Sequence, residues 1–338
     1  MSMINKIFLP TIVGLFILAG CGGRGESYRS CSGSVWATTY NITYCSSKDL
    51  SDSILTVMKQ VEHSLSPFDS LSVISRINRG ESPAIDTLLS RVFLASQKVN
   101  RLSGGAFDPT VAPLVNLWGF GYKDGGGSPT DAQIDSALMR VGIDRCRIER
   151  NHIVKCHPAT EFNFSAITKG YGSDLVGEML HRNGVESYMV EIGGEIALRG
   201  VNPDGEDWHI QIDAPVEGAM SFQHHALSVI ALTDCGVATS GNYRNYRQTS
   251  QGRAWHTIDP KSGRPAQSEI LSATVIAPSC MEADAFATAC MAMPMQKALD
   301  MIDGCSGVEA MFVLSPEGKD NMFRVVYSSG WDTINSHK

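Results

Sequence analysis

The chain has 338 residues, of which 43% are hydrophobic and 19% are charged, and its formal net charge is −7 at pH 7. This composition is typical of a globular protein with a substantial core, and the length fits one large domain or two small ones. The sequence contains no run of lysines and arginines. Together with the acidic balance, this argues against nucleic acid as a partner.

The first 20 residues are predicted to be an export signal. Lys6 precedes an apolar run, Ile7–Ala19, which is too short for a membrane span of about 20 residues. A cation followed by such a run is typical of a signal peptide. The run ends in "LAGC", the pattern of a bacterial lipobox, which predicts cleavage before Cys21 and a lipid on its sulfur. The alternative is a plain signal peptide with an incidental cysteine.

The segment after Cys21 is polar and rich in glycine and serine, which predicts a flexible tether over residues 21–34. A single domain is expected over residues 35–330. The other eight cysteines show no C-x-x-C and no zinc-type spacing, so we assign no disulfide and no zinc site. A lipid-anchored, exported chain is expected on the extracytoplasmic side of a membrane, with the periplasmic face of the inner membrane as the expected place.

Secondary-structure signals in the first half predict one strand and three helices. Ser34–Tyr44 is rich in β-branched and aromatic residues, which favours a strand. Leu50–Leu65 and Leu88–Leu102 carry apolar residues at helical spacing. Thr130–Gly142 opens with the pattern of a capping box and ends on a glycine that suits a helix C-terminus.

The second half mixes strands with helices. Lys169–Gly184 has helical spacing, and Ser187–Gly200 is predicted to be a hairpin that turns at Gly193–Gly194. Strands and helices do not alternate strictly, which argues against a doubly wound parallel fold and predicts an α+β architecture with mixed sheets and packed helices. The further predicted strands are Trp208–Asp213, Ala226–Thr233, Ser272–Ser279, Gly307–Ser315 and Asn321–Ser329.

The stretch "MEADAFATACMAM" (Met281–Met293) is an apolar helix pattern interrupted by two oxygen side chains. Asp284 and Thr288 are four residues apart and therefore lie on one face of a helix. A carboxylate and a hydroxyl together suit a hard cation such as Mg²⁺. A first-turn aspartate favoured by the helix dipole, with a threonine bonding back to a carbonyl, is the alternative. The spacing alone leaves both open.

Two further segments have compositions that suit a site. His256 precedes a turn rich in proline and glycine, where an imidazole is well placed for proton transfer or simply for packing. Ser103–Gly121 contains Phe107, Trp118 and Phe120 beside two prolines. These aromatic residues suit either a pocket for a planar ligand or a loop packed on the core.

The common nucleotide-binding and hydrolase motifs are absent. The sequence contains no G-x-G-x-x-G, no Walker loop, no G-x-S-x-G and no H-E-x-x-H. Their absence weakens the nicotinamide-enzyme, NTPase, serine-hydrolase and zinc-protease interpretations.

Eight segments, in order along residues 34–327, resemble the FAD:protein FMN transferases, the ApbE-type flavin transferases. The resemblance implies a single domain of that type and a lipoprotein member of the family. The segments are "WATTYNITY", "SPFDSLSVISRIN", "SGGAFDPTVAPLVNLWGFG", "FNFSAITKGYGSDLV", "VEIGGEIALRG", "ATSGNYRNY", "HTIDPKSGRP" and "SATVIAPSCMEADAFATA".

The resemblance also implies a set of site residues. In that family the helix matching Met281–Met293 holds a catalytic Mg²⁺, so Asp284 and Thr288 become its ligands with the backbone carbonyl of Ala166. His256 matches a residue proposed as the base. The positions matching the FAD pocket are Trp36, Phe68, Ala106, Phe107, Asp108, Asn163, Lys169 and Ile258.

Three positions depart from the family pattern. Asn163 stands where the family often has aspartate, and it can donate or accept a hydrogen bond but carries no charge. Trp36 stands where methionine is common. Phe68 stands where tyrosine is common and lacks the hydroxyl.

The function implied is Mg²⁺-dependent transfer of FMN from FAD to a Thr or Ser hydroxyl of a target protein, with release of AMP. The implied acceptor is an exported or membrane-bound redox protein, reached from the membrane through the lipid anchor. Two alternatives remain open: a Mg²⁺-dependent FAD pyrophosphatase that yields FMN and AMP, and a flavin-binding lipoprotein without turnover.

Overall fold

The structure is a computed structural model, and Cys21 and the predicted signal peptide lie outside the residues it describes. No helix in the described part of the chain is long and apolar enough to cross a membrane. The described residues are 27–121, 128–215, 225–242, 246–249, 252–315 and 323–332.

The fold combines antiparallel sheets with packed helices, which confirms the predicted α+β class. The helices are α1 (Ser51–Leu65), α2 (Val73–Asn78), α3 (Thr87–Leu102), α4 (Ala112–Leu117), α5 (Asp131–Leu138), α6 (Ser165–Arg182), α7 (Cys280–Met291) and α8 (Met295–Asp303). The strands are β1 (Ser27–Val35), β2 (Thr38–Ser46), β3 (Arg147–Glu149), β4 (His152–Val154), β5 (Tyr188–Ile192), β6 (Glu195–Arg199), β7 (Trp208–Asp213), β8 (Ala226–Leu232), β9 (Gly236–Gly241), β10 (Tyr246–Thr249), β11 (Gly252–Trp255), β12 (Ile270–Ala277), β13 (Glu309–Leu314) and β14 (Arg324–Tyr327).

Eight strands form the main sheet in the order β1-β2-β5-β6-β9-β12-β13-β14. Each neighbouring pair in it is antiparallel. Three smaller antiparallel pairs, β3–β4, β7–β8 and β10–β11, complete the described strands. The predicted hairpin at Gly193–Gly194 is confirmed: it joins β5 to β6, and both glycines have positive φ, 65° and 98°.

The amino-terminal boundary differs from the prediction. Ser27–Val35 pairs with β2 along its whole length, so the predicted flexible tether is wrong for residues 27–34. Small polar residues suffice there because β1 is an edge strand held by its backbone hydrogen bonds. The predicted strand Ser34–Tyr44 is interrupted by a tight turn at Trp36 and Ala37, where φ is 49° and 61°. Neither residue is one of the glycines or asparagines that usually mark such a turn.

The predicted helices in the first half are confirmed, but the third of them ends earlier than predicted. Both halves of the capping box are present between Thr130 and Gln133 at the start of α5. The helix ends at Leu138, however, and Gly142 instead precedes the short 3₁₀ turn Ile143–Arg145. Val141 continues the apolar spacing of a helix, although the helix has already ended at Leu138.

Helix α7 is buried on all sides, which explains its uniformly apolar composition. Nine of its twelve residues are buried, and it packs against α6, β9 and β12. The approach of α6 depends on Gly170, because a Cβ there would lie 2.2 Å from the backbone oxygen of Cys280. Asp284 is therefore held in the interior, at the contact between two helices.

Asp174 of α6 fixes the start of α7. Its carboxylate accepts hydrogen bonds from the backbone N–H groups of Cys280 and Met281, both at 2.8 Å. Burial raises the pKa of Asp174 to about 7 from an ordinary 3.8, although these two hydrogen bonds act in the opposite direction. The folded protein therefore binds this proton more tightly than the unfolded chain does.

This shift predicts a pH-dependent stability. The stabilisation that comes from protonated Asp174 is complete below about pH 4 and is lost as the pH rises through about 7. Asp174→Asn cannot titrate, so its melting temperature minus that of the wild type should become more positive from pH 5 to pH 8. Thermal melts of both proteins across this range test the prediction, and a difference that stays constant with pH would contradict it.

Candidate active site

A cavity of about 510 Å³ opens between α6, α7 and the turn that carries His256. This volume is in the range of small-molecule sites. Most of the residues predicted for the site from sequence are brought together here, although they are dispersed along the chain. Those that line the cavity are Phe68, Ala106, Phe107, Asp108, Asn163, Ala166, Lys169, His256, Ile258, Asp284 and Thr288.

Trp36 is not among the lining residues. Its ring packs on α6, where a Cβ at Gly172 would lie 2.4 Å from the Cη2 atom of the indole. The indole N–H is buried and has no hydrogen-bond partner among the described residues. The structure thus places the half-buried Trp36 against α6 and outside the cavity lining, and its predicted contact with FAD stays a prediction.

The oxygen ligands predicted on α7 converge with α6. Asp284 is 3% exposed, and its Oδ2 accepts a hydrogen bond from the Gly170 N–H at 3.0 Å. In an α-helix the carbonyl of Ala166 points towards the same N–H, so the Ala166 oxygen and the Asp284 carboxylate face one region. Thr288 lies one turn further along α7, with its hydroxyl 3.4 Å from that of Ser240.

The chemistry of these groups fits a hard cation. A carboxylate, a hydroxyl and a backbone carbonyl offer only oxygen, the ligand type that Mg²⁺ prefers, and Mg²⁺ takes its remaining ligands from water and phosphates. No cluster of three or more His, Cys, Asp or Glu suited to a metal occurs within the described residues. Burial raises the pKa of Asp284, opposed by the Lys169 charge and the Gly170 hydrogen bond. A cation would offset the cost of burying this carboxylate.

Lys169 and Glu195 form an ion pair on the cavity wall, with 2.5 Å between Nζ and Oε1. Glu195 is 3% exposed, and it is the first residue of β6 after the Gly193–Gly194 turn. Burial raises the pKa of Glu195, and the Lys169 charge opposes this. Burial lowers the pKa of Lys169, but the neighbouring Glu195 and Asp284 carboxylates outweigh it and the pKa is raised. The lysine is therefore a fixed positive charge in the site.

Asp108 organises the aromatic wall. It is 8% exposed, and it accepts hydrogen bonds from the Thr110 N–H at 2.8 Å, the Thr110 hydroxyl at 2.5 Å and the Ile143 N–H at 3.1 Å. Burial raises the pKa of Asp108, and these hydrogen bonds oppose the rise. The carboxylate thus holds the 3₁₀ turns at Pro109–Val111 and Ile143–Arg145 together beside Phe107.

Asp108→Ala should lower thermal stability and FAD affinity together. Two buried N–H groups would lose their acceptor, at about 1–3 kcal/mol each. Asp108→Asn should be milder, because its oxygen can still accept from Thr110. Thermal melts and flavin fluorescence titration measure the two effects. An unchanged melt for Asp108→Ala would contradict the structural role, and an unchanged affinity would remove this segment from the site.

The segment Ser103–Gly121 contributes both to the cavity wall and to the packing around the turn that carries His256. Phe107 and Phe120 line the cavity. Trp118 does not, and its indole N–H instead donates to the Gly263 oxygen at 2.9 Å. This bond, with the apolar cluster that contains Trp118 and Ile258, anchors the turn that carries His256. One segment therefore supplies part of the wall and also supports the turn that carries His256.

Some residues of the cavity wall are not singled out by sequence patterns. Glu195 lies in a predicted strand, and Thr239 and Ser240 lie at the end of β9. A carboxylate directly after a Gly-Gly turn, in an otherwise apolar hairpin, was the available signal for Glu195. Its partner, Lys169, is 26 residues away in the chain, so spacing alone could not pair them.

Comparison with known proteins identifies the family. The model of the ApbE family matches residues 36–312. The chain belongs to this family. The matched residues include every described position of the cavity discussed above.

Similar ApbE-family proteins cover nearly the whole chain. One from Vibrio cholerae, named FAD:protein FMN transferase, is 37% identical over 321 residues, which is 92% of this chain and 95% of that protein. A Haemophilus influenzae protein of the same name is 34% identical, over 85% of this chain and 86% of its own length. The family resemblance inferred from the eight segments is thereby confirmed.

Solved structures agree. The flavin transferase ApbE of Vibrio cholerae superposes with a TM-score of 0.80 at 34% identity, covering 91% of this chain and 99% of that one. The flavinyl transferase ApbE of Pseudomonas stutzeri, in its apo form, gives a TM-score of 0.82 at 31% identity, over 93% of this chain and 98% of that one. The chain thus has the fold of an ApbE-family enzyme.

Proposed function

We propose that this chain transfers FMN from FAD to a Thr or Ser hydroxyl of an acceptor protein and releases AMP. The observation that carries the proposal is the convergence of Asp284, Thr288 and Ala166 in one cavity with the aromatic wall at Phe107. The family membership and the names of the relatives support the same reaction. FAD is the substrate, and the cavity is the site proposed for it.

The residues of the cavity have distinct roles in this proposal. Asp284, Thr288 and the Ala166 carbonyl would hold Mg²⁺, which when bound neutralises charge on a pyrophosphate as its bond breaks. Lys169 adds a fixed positive charge on the cavity wall. Phe68 and Phe107 offer apolar surface to the flavin ring. Asn163, whose Oδ1 accepts from the Ser165 N–H at 3.0 Å, places an uncharged amide in the cavity wall.

His256 is the proposed base. It lines the cavity, on the turn braced by Trp118, and it is half-buried, so an acceptor protein can approach it. The imidazole takes the proton of the acceptor hydroxyl while that oxygen attacks the phosphorus of the FMN half. The bond from this phosphorus to the bridging oxygen breaks, AMP leaves with that oxygen, and FMN remains on the acceptor as a phosphoester.

One assay separates transfer from its two alternatives. FAD and Mg²⁺ are incubated with the protein, with and without a candidate acceptor domain, and AMP and protein-bound FMN are measured. Transfer predicts FMN on the acceptor and AMP in equal amounts. AMP and free FMN without an acceptor would indicate a pyrophosphatase, and binding of FAD without AMP in either reaction would indicate a flavin-binding protein. Either of these outcomes would overturn the proposal.

We also propose that the protein is a lipoprotein acting outside the cytoplasm on an exported or membrane-bound redox protein. The lipobox at Cys21 supports this. Only five residues separate Cys21 from β1, and fully extended they would span about 17 Å. So short a link would keep the domain close to the membrane, where a membrane-bound acceptor is within reach.

Cys21→Ser tests the anchor. We expect the variant to leave the membrane fraction or to remain unprocessed, because no sulfur is available for the lipid. Fractionation with an immunoblot for size measures this. A variant that is still membrane-bound at its mature size would contradict lipidation at Cys21.

A further inference from the structure

Lys169 is attracted by two buried carboxylates, Glu195 and Asp284, and forms an ion pair with one of them. Its Nζ is 2.5 Å from Glu195 Oε1. Asp284 also attracts it electrostatically, but the hydrogen bond observed at Asp284 comes from the Gly170 N–H. All three side chains line the same cavity. The Lys169 ammonium thus pairs with Glu195, whereas Asp284 is hydrogen-bonded by a backbone N–H group.

The backbone fixes this choice. Glu195 follows the Gly193–Gly194 turn, and Gly193 has a φ of 65° that favours glycine. A Cβ at Gly193 would lie 3.1 Å from the Cδ of Lys169, so the lysine stem runs directly over this turn. The Ser173 hydroxyl of α6 donates to the Glu195 backbone oxygen at 3.0 Å. The carboxylate and the lysine stem are therefore held together at the junction of α6 and β6.

The Glu195 carboxylate is only partly hydrogen-bonded. Its Oε2 is buried and has no hydrogen-bond partner among the described residues. Leaving a carboxylate oxygen buried without a partner is costly, whereas a glutamine at this place would carry no charge. A positive charge bound at Asp284 would compete with the Lys169 ammonium for the same carboxylate, because two cations repel each other at short range.

We propose that Glu195 is a positioning residue that holds the Lys169 ammonium away from Asp284 and so keeps the Asp284 carboxylate available to a divalent cation. The inference rests on the proposed function, which places that cation at Asp284. It assigns a role to a residue that is not one of the proposed metal ligands. Without the Glu195 charge, Lys169 is expected to turn to Asp284, the other carboxylate that raises its pKa, and to exclude the cation.

The test measures metal binding directly and without FAD, so that contacts between Lys169 and the flavin cannot affect the measured affinity. Binding of Mn²⁺ to the purified protein is followed by loss of the free-ion EPR signal, and Mg²⁺ by competition. The proteins are the wild type, Asp284→Asn, Glu195→Gln, Lys169→Met and the double variant Glu195→Gln/Lys169→Met. Thermal melts in EDTA check that each protein is folded.

We expect Glu195→Gln to weaken Mn²⁺ binding by about tenfold or more, because a competing cation moves onto the ligand. The double variant should bind nearly as the wild type does, since removing the lysine removes the competitor. A merely structural role for Glu195 would not be rescued by this second substitution. Lys169→Met alone should bind Mn²⁺ at least as tightly as the wild type, and this result decides the matter if Glu195→Gln does not fold.

The outcomes separate this inference from the proposed function. Equal Mn²⁺ binding by the wild type and Asp284→Asn would remove the metal from Asp284 and overturn both. Loss of binding in Asp284→Asn with wild-type binding in Glu195→Gln would overturn the role of Glu195 alone. Weakened binding in Glu195→Gln that the double variant does not restore, or weakened binding in Lys169→Met, would also contradict it.

Discussion

Asp284→Asn is expected to reduce AMP release from FAD by orders of magnitude while the protein stays folded. A metal ion supplies several kcal/mol of transition-state stabilisation, and this substitution removes the charged ligand proposed for it. The Asn oxygen can still accept from the Gly170 N–H, which Asp284 binds at 3.0 Å, so the contact of α6 with α7 should persist. Were Asp284 only a charge near a helix start, its loss would cost about 0.3–1 kcal/mol of stability and no activity.

The measurement is AMP release across a Mg²⁺ titration, with a thermal melt as the control for folding. Thr288→Val should act in the same direction more mildly, because a neutral hydroxyl contributes less to a dication. Excess Mg²⁺ should partly rescue either variant. Turnover of Asp284→Asn near that of the wild type at low Mg²⁺, with an unchanged melt, would show that Asp284 is not a ligand.

Gly170→Ala is expected to cost about 3 kcal/mol of stability, the upper end of the usual cost of overpacking. In a helix this substitution normally stabilises by about 1 kcal/mol. Here the added Cβ would lie 2.2 Å from the Cys280 oxygen and 2.8 Å from the Cβ of Asp284. Because both contacts belong to α7, the two helices must separate, and the proposed metal ligands on them must separate too.

Gly177→Ala is the matched control. It lies in the same helix, and its Cβ would meet the ring tip of Tyr188, with the hydroxyl at 2.8 Å, which can shift more easily than backbone. We expect a melt near that of the wild type for Gly177→Ala, and a large drop in melting temperature together with weaker Mn²⁺ binding for Gly170→Ala. Equal melts for the two variants would contradict the proposed contact between α6 and α7.

Local sequence signals predicted those elements whose cause is local. The capping box at Thr130 and the Gly-Gly hairpin at Gly193 form as their patterns indicate, because the residues that determine them are adjacent. The edge strand β1 was not predicted, because its small polar residues owe their conformation to the partner strand. The turn at Trp36 was missed for a related reason: its positive φ occurs at a residue that rarely adopts it.

The residues of the site also divide into those with a local sequence signal and those without one. Asp284 and Thr288 share one helix, so their spacing alone indicated a common face. The salt bridge between Lys169 and Glu195 joins a helix to a strand, and no pattern along the chain indicates such a contact. The family resemblance supplied residues such as Asn163 and Ile258, which have no chemical signature of their own. It also supplied Trp36, which the structure places beside α6 and outside the cavity lining.

The most direct test of the proposed metal and FAD site is the anomalous scattering of Mn²⁺ in crystals of the protein soaked with FAD. We expect one Mn²⁺ peak in contact with Asp284, Thr288 and the Ala166 carbonyl, with the FAD pyrophosphate on the same ion and the flavin against Phe107. A peak away from Asp284, or FAD bound outside this cavity, would contradict it.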